Sequence, residues 1–314
     1  VLTKAGKILK DTIDIMIPLY KVLIPMIILV KILSETGLVD FFGKMLKPVM
    51  VLVGLPGELG LVWASALFTN LYAGVIVFAT LAKDMDITIA QATVIASMML
   101  MAHGLPVELQ IAKKAGASLR GMFLYRVGAA LIFGIFLNVF YNSFNYLQEP
   151  VKILWSPKPV DDTLMSWALG EVINLVWIAG IIFALVVIMR LLDALGIIEI
   201  INKVCRPLMK IMGLGEQASY TTMVGFTLGL TYGGGLIISE AKSGKLTQKD
   251  VFFSLGFMGI CHSMIEDTIL MLAIGGHMSG IFWLRTIFSI LLTAILVRTT
   301  GRFISSNSVE PCKR

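Results

Sequence analysis

Residues 101–108 read Met-Ala-His103-Gly104-Leu105-Pro106-Val-Glu108, and residues 261–267 read Cys-His262-Ser263-Met-Ile-Glu266-Asp267. Each stretch interrupts a long apolar segment. Gly and Pro together break a helix, and Pro suits the first turn of a new one. Ser263 with Glu266 three residues on is a capping-box pattern, another helix start. The arms on either side run to roughly 13 residues, about 20 Å of helix, just past the midplane of a hydrocarbon core about 30 Å thick. The breaks therefore predict a re-entrant hairpin in Ile87–Ala117 and another in Leu246–Gly276. The rival is a kinked helix that crosses.

The two stretches are copies. Shifted by 159 residues, Gly37–Val127 aligns without a gap onto Gly196–Thr286, and 17 of the 91 pairs are identical. Similar apolar compositions alone would give roughly seven. Polar matches carry the argument, because polar residues are scarce here: Lys44 falls on Lys203, Lys83 on Lys242, His103 on His262, and Arg126 on Arg285. Glu108 meets Asp267. A fixed-period self-match is the mark of a duplicated structural unit.

The rest of the chain is written for lipid. Of its 314 residues 57% are hydrophobic and only 15% charged, against about a quarter charged in soluble domains. Further apolar runs, Ile13–Leu33, Leu59–Leu81, Met122–Val139, Ser166–Met189, Ala218–Ser239 and Ile281–Val297, approach or reach a bilayer's width. They lack strand-like alternation, and in hydrocarbon that leaves helices. Leu38–Val53 and Ile197–Met212 carry charges at helical spacing (Asp40, Lys44, Lys47; Glu199, Lys203, Arg206, Lys210) and read as interfacial helices. No signal-peptide cleavage site follows the first apolar run, and three scattered cysteines form neither a disulfide framework nor a metal-ligand pair.

These observations predict an all-α integral membrane protein of two inverted repeats. Each repeat has three spanning helices, one interfacial helix and one re-entrant hairpin. Residues 1–140 form the first repeat, the proline-bearing 141–163 a linker, 164–305 the second repeat and 306–314 a tail. With hairpins at the two breaks, 23 Lys and Arg residues outside the spans divide fifteen to eight, and with crossings there they divide thirteen to ten. The positive-inside rule prefers the lopsided model, with both termini in the cytoplasm of a bacterial inner membrane.

The paired units, each with a broken apolar segment and a following helix that carries Arg126 or Arg285, resemble the Gate or nucleoside-recognition family. Met101–Glu108 carries the resemblance most closely. Spore-maturation membrane proteins A and B and the membrane part of the ferrous-iron transporter B are built from such units. Concentrative nucleoside transporters have a similar plan. The resemblance implies a membrane transport role and a nucleoside-like solute, although no residue here matches ribose or base contacts. The second copy lacks the Gly-Leu-Pro of the first.

Ionisable groups in a membrane segment mark function by default. Half-helix ends offer free backbone groups to a solute or ion. His103, Glu108, His262, Glu266 and Asp267 thus predict a site at the two breaks, against a bland reading as caps and backbone partners. Arg126 and Arg285 can clamp an anion, but read better as ion-pair partners of Glu108 and Asp267. Asn70 and Tyr72 lie within the run Leu59–Leu81, opposite Thr231, Gly233, Gly234 and Gly235, a glycine run that suits an unwound stretch or close packing. Glu171 and Asn174, with the two histidines, are candidates for a coupling ion. Met98–Met101 reads as packing and His277 as a surface residue.

The reading that follows is a secondary transporter of a small polar or anionic solute, proton-coupled through the histidines. It needs no cofactor. Its surroundings are the lipid bilayer and its solute; nucleic acid is not a partner, and a homo-oligomer is compatible with the sequence. The alternatives are a divalent-cation pathway through His103, Glu108, His262 and Asp267, and a non-transporting assembly factor. An enzyme is disfavoured, since no nucleophile pair, metalloprotease helix or phosphate loop is present.

Overall fold

The computed structural model describes residues 9–153 and 163–306, apart from scattered positions within 11–37 and 198–210 and residue 229. Among these residues every regular element is a helix. Four are long and apolar enough to cross a membrane: Ile89–Lys114, Leu119–Ser143, Leu164–Leu192 and Ser279–Thr299. The chain is an all-α, multi-pass membrane protein. Its outward faces are apolar: Val172, Val176 and Trp177 of the helix at 164–194 and Leu124, Ile132 and Val139 of the helix at 119–143 are exposed. In a bilayer such faces meet lipid.

After a first stretch whose described residues between 9 and 35 are helical, α1 (Leu38–Leu52) exposes Phe41 and Met45 together with Lys44 and Lys47. Apolar and cationic side chains on one open surface suit the headgroup boundary. The side chain of Asp40 lies outside the described residues. In the second copy Glu199 and Lys203 pair at 3.1 Å, one turn apart; Arg206 and Lys210 lie outside the described residues.

The structure moves the hairpins. Leu59–Leu81, expected to cross as one helix, is two: α2 (Leu59–Phe68) and α3 (Leu71–Leu81). A Cβ on Gly74 of α3 would lie 2.8 Å from the Ala66 Cβ and 3.3 Å from the Val62 carbonyl oxygen, both on α2. In one continuous helix Val62 and Gly74 would stand about 18 Å apart along the axis. The chain therefore doubles back at Thr69–Asn70. Asn70 provides the turn: its backbone is extended, and its Oδ1 accepts the Ala73 N–H at 2.9 Å, capping α3. With 10 and 11 residues, these arms reach about half the hydrocarbon thickness. In the second copy α8 (Glu216–Leu228) and α9 (Leu230–Lys242) pack side by side across residue 229.

The segments expected to be hairpins are instead pairs of helices that follow one another across a break. α4 (Ile89–Met101) and α5 (Leu105–Lys114) succeed each other, and both pack on α6 (Leu119–Ser143). After α7 (Leu164–Ala194), α8 and α9, the second copy has α10 (Gln248–Ile260) and α11 (Glu266–Ala273), broken at 261–265. A π-helical turn, Ser279–Leu284, then leads into α12 (Arg285–Ser306).

Local structure recurs at the 159-residue offset. Thr88 and Gln91 form a capping box at the start of α4, and Thr247 and Asp250 form one at the start of α10. Positive φ occurs at Gly54 and Gly213, at Gly116 and Gly275, and at Gly104 (56°) and Ser263 (46°). Ser263 is therefore not the helix cap its spacing suggested. It takes the left-handed turn that glycine takes in the first copy, and α11 begins at Glu266 without a side-chain cap.

The doubling-back of α2 and α3 makes Gly74 a point of closest approach. Gly74→Val should lower stability by about 1–3 kcal/mol through overpacking against Ala66 and Met99. Gly128→Ala, at a helical position with nothing within 4 Å, should be neutral or slightly stabilising. Thermal unfolding of the two variants in detergent checks this; equal losses would mean that α2 and α3 do not pack through Gly74.

Candidate functional site

The breaks in α4–α5 and α10–α11 meet. The His103 and His262 rings lie 5.0 Å apart between centroids, and both are buried. Each ring is fixed by the helix end it follows. A helix leaves its last carbonyls without intrahelical partners. His103 Nδ1 bonds the Met99 carbonyl at 2.8 Å, and His262 Nδ1 bonds the Met258 carbonyl at 2.7 Å. A carbonyl only accepts, so Nδ1 carries the proton in both rings and Nε2 of each neutral imidazole is a bare lone pair.

Both Nε2 atoms point at one carboxylate oxygen. Glu108 Oε1 is 3.7 Å from His103 Nε2 and 3.7 Å from His262 Nε2, too far for hydrogen bonds. The other oxygen, Oε2, accepts from Arg126 Nη1. Arg126, 1% exposed, also donates from Nε to the Met101 carbonyl at 3.3 Å. Gly259 on α10 makes room for it, since a Cβ there would sit 2.9 Å from Arg126 Cδ. Arg126 is thus paired with Glu108, as one of its two readings expected.

Arg285 differs. It is fully buried, donates from Nη2 to the Met264 sulfur at 2.7 Å, and leaves Nε and Nη1 without hydrogen-bond partners. Asp267 Oδ2, also buried, has none either. The expected Arg285–Asp267 pair, counterpart of Arg126–Glu108, is thus not made. One copy holds its latch closed and the other holds it open.

The remaining candidates divide. Asn70, expected mid-helix, is the α3 cap at the hairpin turn. Tyr72, two residues on, donates to Glu266 Oε1 at 3.2 Å and so ties the first hairpin to the second broken helix. The glycine run does not unwind: 230–242 is helical throughout, and Gly234 instead lets Ile111 of α5 approach, its Cβ position lying 2.6 Å from Ile111 Cγ2. The surroundings of Thr231 and Gly233 lie outside the described residues, as does the side chain of Asn174. Glu171 is half-buried on α7, on the helical stripe of Trp167 and Leu175, which pack with Ala73 and Ile76 of α3. His277 is half-buried rather than on the surface, and its backbone N–H donates to Thr93 at 2.9 Å. Met98–Met101 is core.

Sequence reasoning missed the backbone half of the site. Gly104 N–H donates to the Ala66 carbonyl at 2.9 Å, and Met264 N–H faces the Phe226 carbonyl at 3.4 Å, so each break rests on the end of a hairpin arm. The pair Thr69-Asn70, within an otherwise apolar run, was the available signal, since Asn is a preferred helix cap.

Two broken helical segments and two helical hairpins gather buried ionisable residues at one centre of a multi-pass membrane protein. The profile of the Gate family, described as nucleoside recognition, matches residues 16–118 and again residues 175–278, and the chain belongs to that family. It is 26% identical over 282 residues to the uncharacterized membrane protein YvoD of Bacillus subtilis (strain 168), covering 89% of each chain. No solved structure matches.

The two carboxylates should respond differently to substitution. Glu108→Ala strands a buried guanidinium and should cost about 3–5 kcal/mol. Asp267→Asn removes a carboxylate whose Oδ2 has no hydrogen-bond partner and should change stability by less than about 1 kcal/mol. Thermal unfolding of both variants separates the cases; a larger loss from Asp267→Asn would show that the second latch, not the first, holds the fold.

Proposed function

We propose that this protein is a secondary-active carrier of a small solute, not an enzyme, and that it works by alternating access. The observation that carries this reading is the unequal pair of latches. Glu108–Arg126 is joined while the matching Asp267–Arg285 is parted, at a centre where both breaks and the Tyr72-bearing hairpin arm converge. In an inverted repeat the two copies exchange conformations between the inward- and outward-facing states. The opposite state then joins Asp267 to Arg285 and parts Glu108 from Arg126. The Gate membership supports a transport role, and the occluded centre fits a carrier better than a channel.

The corrected hairpins support the inversion. With Leu59–Leu81 and Glu216–Lys242 as hairpins, Lys242, Lys245 and Lys249 join the side of the termini. Only Lys31, Lys44, Lys47, Lys83, Lys152 and Lys158 stay opposite, so the 23 basic residues divide seventeen to six. The positive-inside rule then places the termini and the 241–247 loop in the cytoplasm and the linker outside. Cysteines placed at Glu149 and at Ser243, with the three native cysteines replaced by alanine, should react with an impermeant maleimide from opposite faces. Labelling from the same face would overturn the inverted arrangement.

Alternation itself is tested at the hairpin turn. Asn70→Cys in the same background should react with a small permeating-incompetent thiol reagent added to either face, because each state opens the centre to one side. Reaction from one face alone would rule out the carrier.

A further inference from the structure

We infer that the buried centre binds a divalent first-row transition cation, held by Nε2 of His103, Nε2 of His262 and a carboxylate oxygen of Asp267. This names the ligand of the proposed carrier and rests on that reading for its transport role, not for its chemistry.

Three independent observations carry it. First, one ligand atom from each of His103, His262 and Asp267 falls within 4.8 Å of the others. A tetrahedral ion with bonds of 2.0–2.1 Å holds its ligands about 3.4 Å apart, so closing on a metal takes about 1 Å of side-chain movement. Second, both imidazoles are oriented as metal-binding imidazoles are. A ligating histidine donates its other ring N–H to a carboxylate or backbone carbonyl, which fixes the tautomer and aims the lone pair. Met99 O and Met258 O do this here, at 2.8 and 2.7 Å. Third, Asp267 is nine-tenths buried with Oδ2 lacking a hydrogen-bond partner, a costly arrangement without an occupant to bind it.

The charge balance agrees. Glu108, Glu266 and Asp267 face Arg126 and Arg285, so carboxyl groups outnumber guanidiniums three to two. That balance disfavours an anionic solute. Glu108 Oε1, 3.7 Å from both Nε2 atoms, is placed to become a fourth ligand if its bond to Arg126 is released. The donor set of two imidazoles and carboxylate oxygen, without thiolate, suits Mn(II), Fe(II), Co(II) or Zn(II) over Mg(II) or Ca(II).

The test uses Co(II) as the probe, titrated into the chelator-treated full-length protein in detergent. Visible absorption should show a saturable one-to-one complex with bands stronger than those of the aqueous ion. Excess Mg(II) should leave them unchanged, and Zn(II) should bleach them. His103→Ala, His262→Ala and Asp267→Ala should each weaken binding by at least about tenfold. His262→Cys should add a sulfur-to-cobalt charge-transfer band, which arises only if position 262 touches the metal; it therefore reads ligation even if an alanine variant folds poorly. An aqueous-ion spectrum throughout, or bands untouched by both histidine variants, overturns the inference. Failure here with Asn70→Cys reactive from both faces removes the cation and leaves the carrier. Cobalt binding with one-sided reactivity removes the carrier and leaves the site.

Discussion

A helix that stops inside an apolar protein must find partners for the backbone groups it frees, and the centre of this molecule is built from those partners. At the end of α4 the Met98 carbonyl takes the Ala102 N–H, Met99 takes the His103 ring and Met101 takes the Arg126 guanidinium. Gly104 N–H, freed at the same break, goes to the end of α2. In hydrocarbon each such group left unpaired would cost several kcal/mol. The breaks thus dictate where histidine and arginine stand, and these side chains in turn aim at Glu108. Backbone satisfaction and site geometry are one arrangement.

The sequence made the centre legible and left its frame ambiguous. His103, Glu108, Arg126, His262 and Asp267 stood out because charged and titratable residues are rare in lipid-spanning runs. The 159-residue offset paired them before any contact was known. Which run turns back and which one crosses was a different question. Leu59–Leu81 has the length of a crossing helix, and its turn at Thr69–Asn70 interrupts it by two residues of modest polarity. Gly104 and Pro106 break the chain equally well in a hairpin or in a kinked span. The decision belongs to packing: Gly74 against Ala66, and α4 and α5 both along α6. The basic residues near 242–249 could have pointed to the exchange, since they sat uneasily opposite the termini until the hairpins were moved.

Duplication explains why the two copies share a plan, and the details show where they diverge. Capping boxes, left-handed turns and ring-to-carbonyl bonds repeat at matching positions. The latches do not repeat. Arg126 reaches its carboxylate past Gly259, whereas the residue matching Gly259 in the first copy is Leu100, and Arg285 settles on the Met264 sulfur. A π-helical turn immediately before Arg285 further separates its approach from that of Arg126, which follows an ordinary α-helical turn.

The left-handed turn shared by Gly104 and Ser263 has a thermodynamic consequence. Glycine enters that conformation freely, while a residue with a Cβ gives up about 1 kcal/mol or more. Two exact copies would carry the same backbone cost at their breaks, and a serine in one of them makes the costs unequal. A strain of about 1.4 kcal/mol is a tenfold factor in an equilibrium, so the second break keeps its shape only because its surroundings hold it there, while the first adopts the same shape unaided.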